Sequence, residues 1–415
     1  PNATITHVYH AEDVHDFVWT CSPDYQVYEE TWQHVKIKLM IQPEHVGAAK
    51  ERYFQSTKAA LQYFHDWLGK YPYPNVTVVD PPTYAMGAGG MEYPTLITGG
   101  SVKYLPSGLR VTEMVSVHEF GHEYWYGLVG NNEFEEPWMD EGFNQYSETR
   151  IMDETYGEGR SAVEFAGYKM GDAETARSGY VGMSNPKASP IDTFSWAFPA
   201  SSYGSLTYNK TAAWMITLER LIGRPAMDEA MRTYFERWKF KHPGRADFEA
   251  VVNEVVRKHH GTKFGPSMDW FFTQMLDGTD VCDYAIGAMD SRRVSRPRGR
   301  DIDTAGQKTG TTLYESTVRV LRKGEVHMPV TVEVLFKDGS KETVWWNGHD
   351  RVRELKFVRE SEVQMATVDP ARTLWIDVDL SNNVNSTEVS GAAIWKYTIK
   401  ALYWLQNVVQ YSAIL

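Results

Sequence analysis

The stretch Val117-His118-Glu119-Phe120-Gly121-His122-Glu123, with Trp138-Met139-Asp140-Glu141-Gly142 further on, constrains this chain more than any other feature. Residues four apart on a helix share a face, so the imidazoles of His118 and His122 can aim at one point from adjacent turns. Histidines so placed suit two positions of a tetrahedral metal. A third protein ligand is then required, because catalytic zinc takes three and keeps the fourth place for water. Glu141, on the next predicted helix after an interval of 18 residues (123 to 140), supplies it. The fold must therefore bring two helices together here, with Glu119 beside the open metal position. The competing reading is a surface helix with incidental histidines; the helical setting and the third ligand disfavour it.

A chain of 415 residues, 42% hydrophobic and 23% charged, is long enough for two or three domains and is expected to fold nearly throughout. Its formal net charge of −12 argues against a nucleic-acid partner, since phosphate contacts come from Lys and Arg. No uninterrupted apolar run is long enough to cross a bilayer, so no integral membrane span is expected. Cys21 and Cys282 are too few for a disulfide scaffold or a thiolate metal site. The compartment stays open, with an extracytoplasmic location, periplasmic or secreted, favoured over the cytoplasm.

Along the chain, residues 1–45 carry short alternating segments such as Val35–Ile41 with strand character, too short to make a domain alone. From Glu44 to Leu68 a helical period runs through Ala48, Tyr53, Leu61 and Phe64, and Gly69 follows as a C-cap. After the strand-like Val76–Val79 comes Gly87-Ala88-Gly89-Gly90-Met91-Glu92-Tyr93-Pro94. Glycines clear side chains where another backbone must approach, and Glu92 could then reach a cation at that edge; on the glycines alone, a flexible turn is the plainer reading. Residues 109–126 read as the helix holding both histidines. Asp140 is placed to cap a second helix through Phe143, Tyr146 and Ile151 toward Gly157, with Glu148 on the face of Glu141.

Residues 158–290 read as mostly helical, and Leu206–Met215 opens an amphipathic helix with Tyr208 near its start. The basic stretch from Ser291 to Arg300 reads as a solvated linker in so acidic a chain. Beyond it the period becomes two: Thr317–Leu321, Val326–Phe336, Glu342–Trp346, Arg353–Phe357 and Thr373–Val378 read as strands, with a hairpin at Lys337-Asp338-Gly339-Ser340. The tail Ala392–Tyr411 is apolar and aromatic, but Lys396, Lys400, Gln406 and Asn407 make it a docked amphipathic helix rather than a membrane span. The expected architecture is α+β and multidomain. It comprises a β segment (1–45), a mainly helical catalytic domain (46–290), a linker (291–302), a small β-sandwich (303–383) and a docked C-terminal helix (384–415).

In order, Gly89-Gly90-Met91-Glu92-Tyr93, His118 to His122, Asp140-Glu141 and Tyr208-Asn209-Lys210 resemble the gluzincin metallopeptidases of the aminopeptidase N and leukotriene hydrolase family. That family is marked by His-Glu-x-x-His, an 18-residue gap and Asn-Glu or a variant, preceded by Gly-x-Met-Glu-Asn and followed by Tyr-x-Lys. The resemblance extends from about residue 7 to about residue 285. It implies a thermolysin-like catalytic domain with one Zn2+ ion on His118, His122 and Glu141. Glu119 would be general base for a metal-activated water, and Tyr208, rather than the nearby Tyr203, would stabilise the oxyanion. Glu148 would orient a ligand histidine. Glu92 would bind the α-ammonium of a peptide while Gly89, Gly90 and Met91 align its backbone like an added strand.

The function this implies is zinc-dependent removal of N-terminal residues from peptides. An open-cleft zinc endopeptidase is the alternative within the same chemistry, and a catalytically silent scaffold the rival outside it. Two departures bear on this. Tyr93 stands where the family has Asn and cannot supply an amide donor and acceptor together, which weakens the exopeptidase reading. The family's large N-terminal β domain is represented by residues 1–45 as a remnant. The expectation is therefore association with that domain on another chain, or its removal; the large helical domain with which the family often closes its active site is incomplete as well, so a more open cleft is expected.

Overall fold

The computed structural model describes residues 4–294, 312–388 and 391–412. Contacts divide the chain into two units, one running to Val281 and including Leu374–Ile376, the other made of Cys282–Thr373 and the residues from Asp377 on. The whole is a mixture of helices and several sheets.

In the first unit, Gln26–Trp32 (β1) and Val35–Ile41 (β2) form a hairpin, and helix α1 (Val46–Trp67) carries the chain over to Asn75–Val79 (β3), parallel to β2. Met91–Tyr93 (β4) and Leu96–Thr98 (β5) complete a five-stranded sheet in the order β1-β2-β3-β5-β4. Among the described residues strand β4 is therefore an edge of the sheet. Of residues 1–45, expected to be a remnant of a separate β domain, Gln26–Trp32 and Val35–Ile41 are instead integral to this sheet, while residues 4–25 form no strand. Val35, Ile37, Leu39 and Ile41 are fully buried, and a strand whose alternate row is buried and whose backbone pairs on both sides is a central strand. Helix α1 buries Tyr53, Ala60, Leu61 and Phe64, the last stacking on Tyr124 at 4.7 Å between ring centres.

The rest of this unit is helical. It contains α2 (Val111–Gly121), α3 (Phe143–Tyr156), a two-stranded ribbon of Val163–Phe165 (β6) and Tyr168–Met170 (β7), α4 (Asp172–Val181), α5 (Thr211–Ile222), α6 (Arg224–Trp238), α7 (Arg245–His260) and α8 (Asp269–Phe272). Two π turns, Trp138–Gly142 and Ser205–Lys210, lead directly into α3 and α5. Buried rings tie the helices together: Phe143 meets Phe248 at 4.6 Å, and Trp138 lies 5.9 Å from Trp214. Aromatic pairs of this kind add to area burial by about 0.5–1.5 kcal/mol each.

In the second unit, Tyr284–Val294 (β8), Leu313–Arg322 (β9) and Val352–Arg359 (β12) form one sheet in the order β12-β9-β8. Val330–Phe336 (β10), Lys341–Trp346 (β11), Val363–Val368 (β13) and Val384–Ser386 (β14) form the other, ordered β11-β10-β13-β14. Val332, Val334 and Phe336 are buried on β10, and Phe336 meets Phe357 of the opposite sheet at 5.4 Å. The Lys337–Ser340 turn joins β10 to β11, with Gly339 at φ +84°.

Several expectations are corrected here. Strand β8 begins at Tyr284 and runs through the expected boundary at 290, so Ser291–Val294 are strand rather than linker; residues 295–311 lie outside the described residues. Thr373–Val378 forms no strand: Leu374–Ile376 belongs to the first unit, where the Ile376 amide donates to Thr217 Oγ1 at 3.0 Å. The C-terminal helix forms as α9 (Gly391–Ser412) but is not docked, since its large apolar side chains are exposed along its length. Those residues occupy most of the circumference, more than one packing seam could bury.

Candidate metal centre

Helix α2 ends at Gly121 rather than near Tyr126, because i→i+3 bonds from the amides of Glu123 and Tyr124 tighten the chain there. His118 thus occupies the last turn and His122 the C-cap, still with helical dihedrals of φ −64° and ψ −19°. The Asn144 amide donates to the His118 carbonyl at 2.6 Å, fastening α3 to α2. Glu141 sits in the π turn before α3. Gly142 beside it packs so closely on the second π turn that a Cβ would collide with the Thr211 methyl and lie 2.8 Å from the Thr207 carbonyl. That contact is what sets Tyr208 next to Glu141.

His118 Nδ1 lies 2.8 Å from Glu148 Oε2, and His122 Nδ1 lies 2.6 Å from Asp140 Oδ1. With each Nδ1–H donated to a carboxylate, both Nε2 lone pairs turn inward. The two Nε2 atoms are 3.2 Å apart, and Glu141 Oε2 is 3.2 Å from one and 3.1 Å from the other. Three acceptor atoms converging on one point repel unless a cation lies among them. Ligands at about 2.0–2.1 Å from a tetrahedral ion would be separated by about 3.3 Å, so this triad fits such an ion. Among the described residues His118, His122 and Glu141 form one of three groups able to hold a metal.

The electrostatics express the same convergence. Burial would lower the pKa of His118, but hydrogen bonds to Glu141 and Glu148 outweigh it and push it up to about 10. Burial opposes ionisation of Glu141 as well, yet the imidazoles of His122 and His118 hold its carboxyl well below the usual range. The cluster thus draws positive charge to itself. Burial pushes Glu119 up to about 7 against the pull of both histidines. Glu119, His122 and Glu92 offer ligand atoms within 4.8 Å of one another.

Glu92 lies on the edge strand β4, and Gly90 just before it adopts φ +71° while its amide donates to the Thr98 carbonyl at 2.8 Å. A Cβ at Gly90 would stand 3.6 Å from Glu119 Oε1, so the glycine backbone lines the carboxylate directly. Gly89, with its amide bonded to the Met86 carbonyl, and the exposed Met91 flank it on the same edge. The Tyr208 ring stacks on His118 at 5.7 Å between centres; burial, then the Glu141 carboxylate it hydrogen-bonds, drive its pKa far up, so the phenol stays protonated. Tyr203 stands edge-on behind it at 6.2 Å.

Four neighbours escaped the sequence reading. Asp140 was expected to cap α3 and makes no such bond; it holds His122 instead. Glu123, fully buried, accepts from the Tyr71 hydroxyl at 2.8 Å and the Thr95 amide at 2.9 Å, pinning α2 to the β4–β5 turn. Among the described residues Asp172 is buried with no hydrogen-bond partner on either carboxylate oxygen, and burial, then the neighbouring Glu148, raise its pKa strongly. Glu133 joins Glu92 and Asp140 in a cluster of carboxylates beside the triad. An acid next to an apolar run is the only signal these residues carry, and it is shared by ordinary caps and loops.

A His/His/Glu cluster with a buried carboxylate at its mouth, on helices beside a mixed sheet, is the donor set expected of the gluzincin class. Within that class the chain belongs to peptidase family M1: residues 52–271, more than half of its length, match the Peptidase family M1 domain. It is 29% identical over 234 residues to a leukotriene A-4 hydrolase homolog of Botryotinia fuckeliana, covering 55% of this chain and 35% of that one. It is 27% identical over 234 residues to leucine aminopeptidase 2 of Sclerotinia sclerotiorum, covering 55% and 37%. The chain thus spans about a third of the length of these curated relatives. Its fold resembles that of Legionella pneumophila aminopeptidase A, solved in complex with aspartic acid, with a TM-score of 0.56 at 12% identity, covering 85% of this chain and 37% of that one.

Proposed function

We propose that the chain is a zinc aminopeptidase, with a thermolysin-like catalytic unit that holds one Zn2+ ion on His118, His122 and Glu141. The observation that carries this reading is the position of Glu92. It sits on the free edge of the sheet, within 4.8 Å of Glu119 and His122, where a carboxylate can accept from the α-ammonium of a peptide lying beside the metal triad. Zinc bound there would lower the pKa of a water molecule and polarise a substrate carbonyl.

The chain's own residues supply the rest. Glu119, buried beside both histidines, takes the proton of the attacking water and delivers it to the leaving amine. Tyr208 donates its hydroxyl to the carbonyl oxygen as negative charge develops, which its protonated phenol allows at neutral pH. Glu148 and Asp140 fix the histidine tautomers. The backbone of Gly89, Gly90 and Met91 takes the peptide as an additional strand on β4.

Turnover of one peptide with a free and with an acetylated N-terminus tests the proposal. The account expects release of the first residue from the free peptide alone. Equal cleavage of both, or internal fragments from either, would replace it with an endopeptidase.

A further inference from the structure

Glu133 has no part in the chemistry above, yet its carboxylate converges with those of Glu92 and Asp140: each offers an oxygen, and the three oxygens lie within 4.8 Å of one another. Like charges so close repel. Among the described residues no lysine or arginine forms an ion pair with any of the three, and Asp140 is matched by His122 alone. Burial, then the charges of Glu92 and Glu141, push the pKa of Glu133 up, as expected where positive charge is lacking. The arrangement is short of one cation.

Carboxylates crowd together on many surfaces without a ligand, and a second observation sets this group apart. Glu119, only 6% exposed, accepts no hydrogen bond among the described residues, and its carboxylate, that of Glu92 and a His122 nitrogen offer atoms within 4.8 Å of one another. Glu92 is thus common to two groups, one beside the metal triad and one around Glu133. An N-terminal residue fits both at once. Its ammonium nitrogen and its carbonyl carbon are about 2.5 Å apart, so an ammonium held at Glu92 and Glu133 leaves the carbonyl beside Glu119 and His122.

Glu133 is held in place for this. The Tyr126 hydroxyl hydrogen-bonds its carboxylate. The next residue is tied on both sides, its amide donating to Asn132 Oδ1 at 3.2 Å and its carbonyl accepting from the Ser195 amide at 2.8 Å. An acceptor so fixed costs little to order on binding. A primary ammonium carries three N–H donors, and Glu92, Glu133 and Asp140 supply an acceptor for each. Calcium or magnesium would call for about six oxygens or more, twice what converges here.

We infer that Glu133 is the second acceptor of the substrate's α-ammonium, completing with Glu92 and Asp140 a clamp that takes primary rather than secondary amino termini. A secondary ammonium presents carbon in place of one N–H and leaves one carboxylate buried against it without a partner. The inference rests on the reading of Glu92 given above.

Kinetics on one peptide with a free, an N-methylated and an N-acetylated terminus test it, in the zinc-loaded parent, Glu133→Gln and Glu133→Asp. The parent is expected to prefer the free peptide over the N-methylated one. Glu133→Gln is expected to raise KM for the free peptide about tenfold with kcat nearly unchanged, and to leave the N-methylated peptide as it was, so that the preference collapses. Glu133→Asp is expected to recover part of it. The ratio of the two peptides does not depend on how much of a variant is folded. An unchanged KM for the free peptide overturns the inference, as does an equal loss on both peptides, which marks a structural role. A second metal ion per chain in the parent, absent from Glu133→Gln, overturns it too. Equal cleavage of the acetylated peptide by the parent removes the reading of Glu92 instead, and the inference with it.

Discussion

Lys210 sits two residues beyond Tyr208, almost fully buried, its ammonium without a hydrogen-bond partner among the described residues, with the face of Tyr180 5.7 Å away and the charge of Asp280 the one that favours its proton. Burial pushes its pKa down to about 8 from an ordinary 10.5. Between those values the unfolded chain holds a proton that the folded chain has released, so stability rises with pH across that window and is lowest below it. Lys210→Met is expected to stabilise the fold at pH 7 by about 2–3 kcal/mol and to flatten the rise above pH 8; denaturant melts at several pH values check both. Asp172 makes a second residue-level case. Asp172→Asn offers an amide N–H toward Glu148 and is expected to keep zinc affinity, whereas Asp172→Leu is expected to lose about tenfold, read by competition with a chelating dye. His118, Glu119, His122 and Glu141 were legible in the sequence because a helical period and a fixed gap are written in it. Asp140, Glu123, Asp172 and Glu133 were not, because their roles come from chain segments that meet only after folding.

At the level of elements, the two π turns decide whether the centre forms. Gly142 lets the turn bearing Glu141 press on the one bearing Tyr208. Gly142→Ala forces them apart, with a cost of about 1–3 kcal/mol for overpacking. The expected result is a lower melting temperature together with reduced zinc occupancy, measured by scanning calorimetry and metal analysis; unchanged occupancy would separate the two turns from the site. Helices with strong apolar periods, such as α1 and α5, were visible beforehand. The π turns were not, since an extra residue in a turn leaves no trace in periodicity. Strand β2 was seen as a strand but misassigned to another domain, because alternation reveals a buried face and says nothing of which sheet buries it.

At the scale of the whole molecule, metal binding and folding are linked. A ligand that binds only the folded chain stabilises it by RT ln(1 + [L]/Kd), about 4 kcal/mol at a thousandfold excess over Kd. Chelator-treated protein is therefore expected to melt several degrees lower, and added zinc to restore the transition; magnesium, which prefers six oxygen ligands, is expected not to. Lys396, Lys400, Gln406 and Asn407 made the C-terminal helix read as a docked amphipathic one, because polar residues in an apolar period show where a polar strip lies and not whether a surface is there to cover the rest. The central claim is that three residues hold a zinc ion and Glu119 moves the proton. Release of the N-terminal residue by Glu119→Gln, compared with the parent at equal zinc content, tests it most directly. The account predicts one zinc per chain in both proteins and turnover lower in the variant by about 10²–10⁴-fold. Equal turnover in the two proteins, or a fully active parent without zinc, would contradict it.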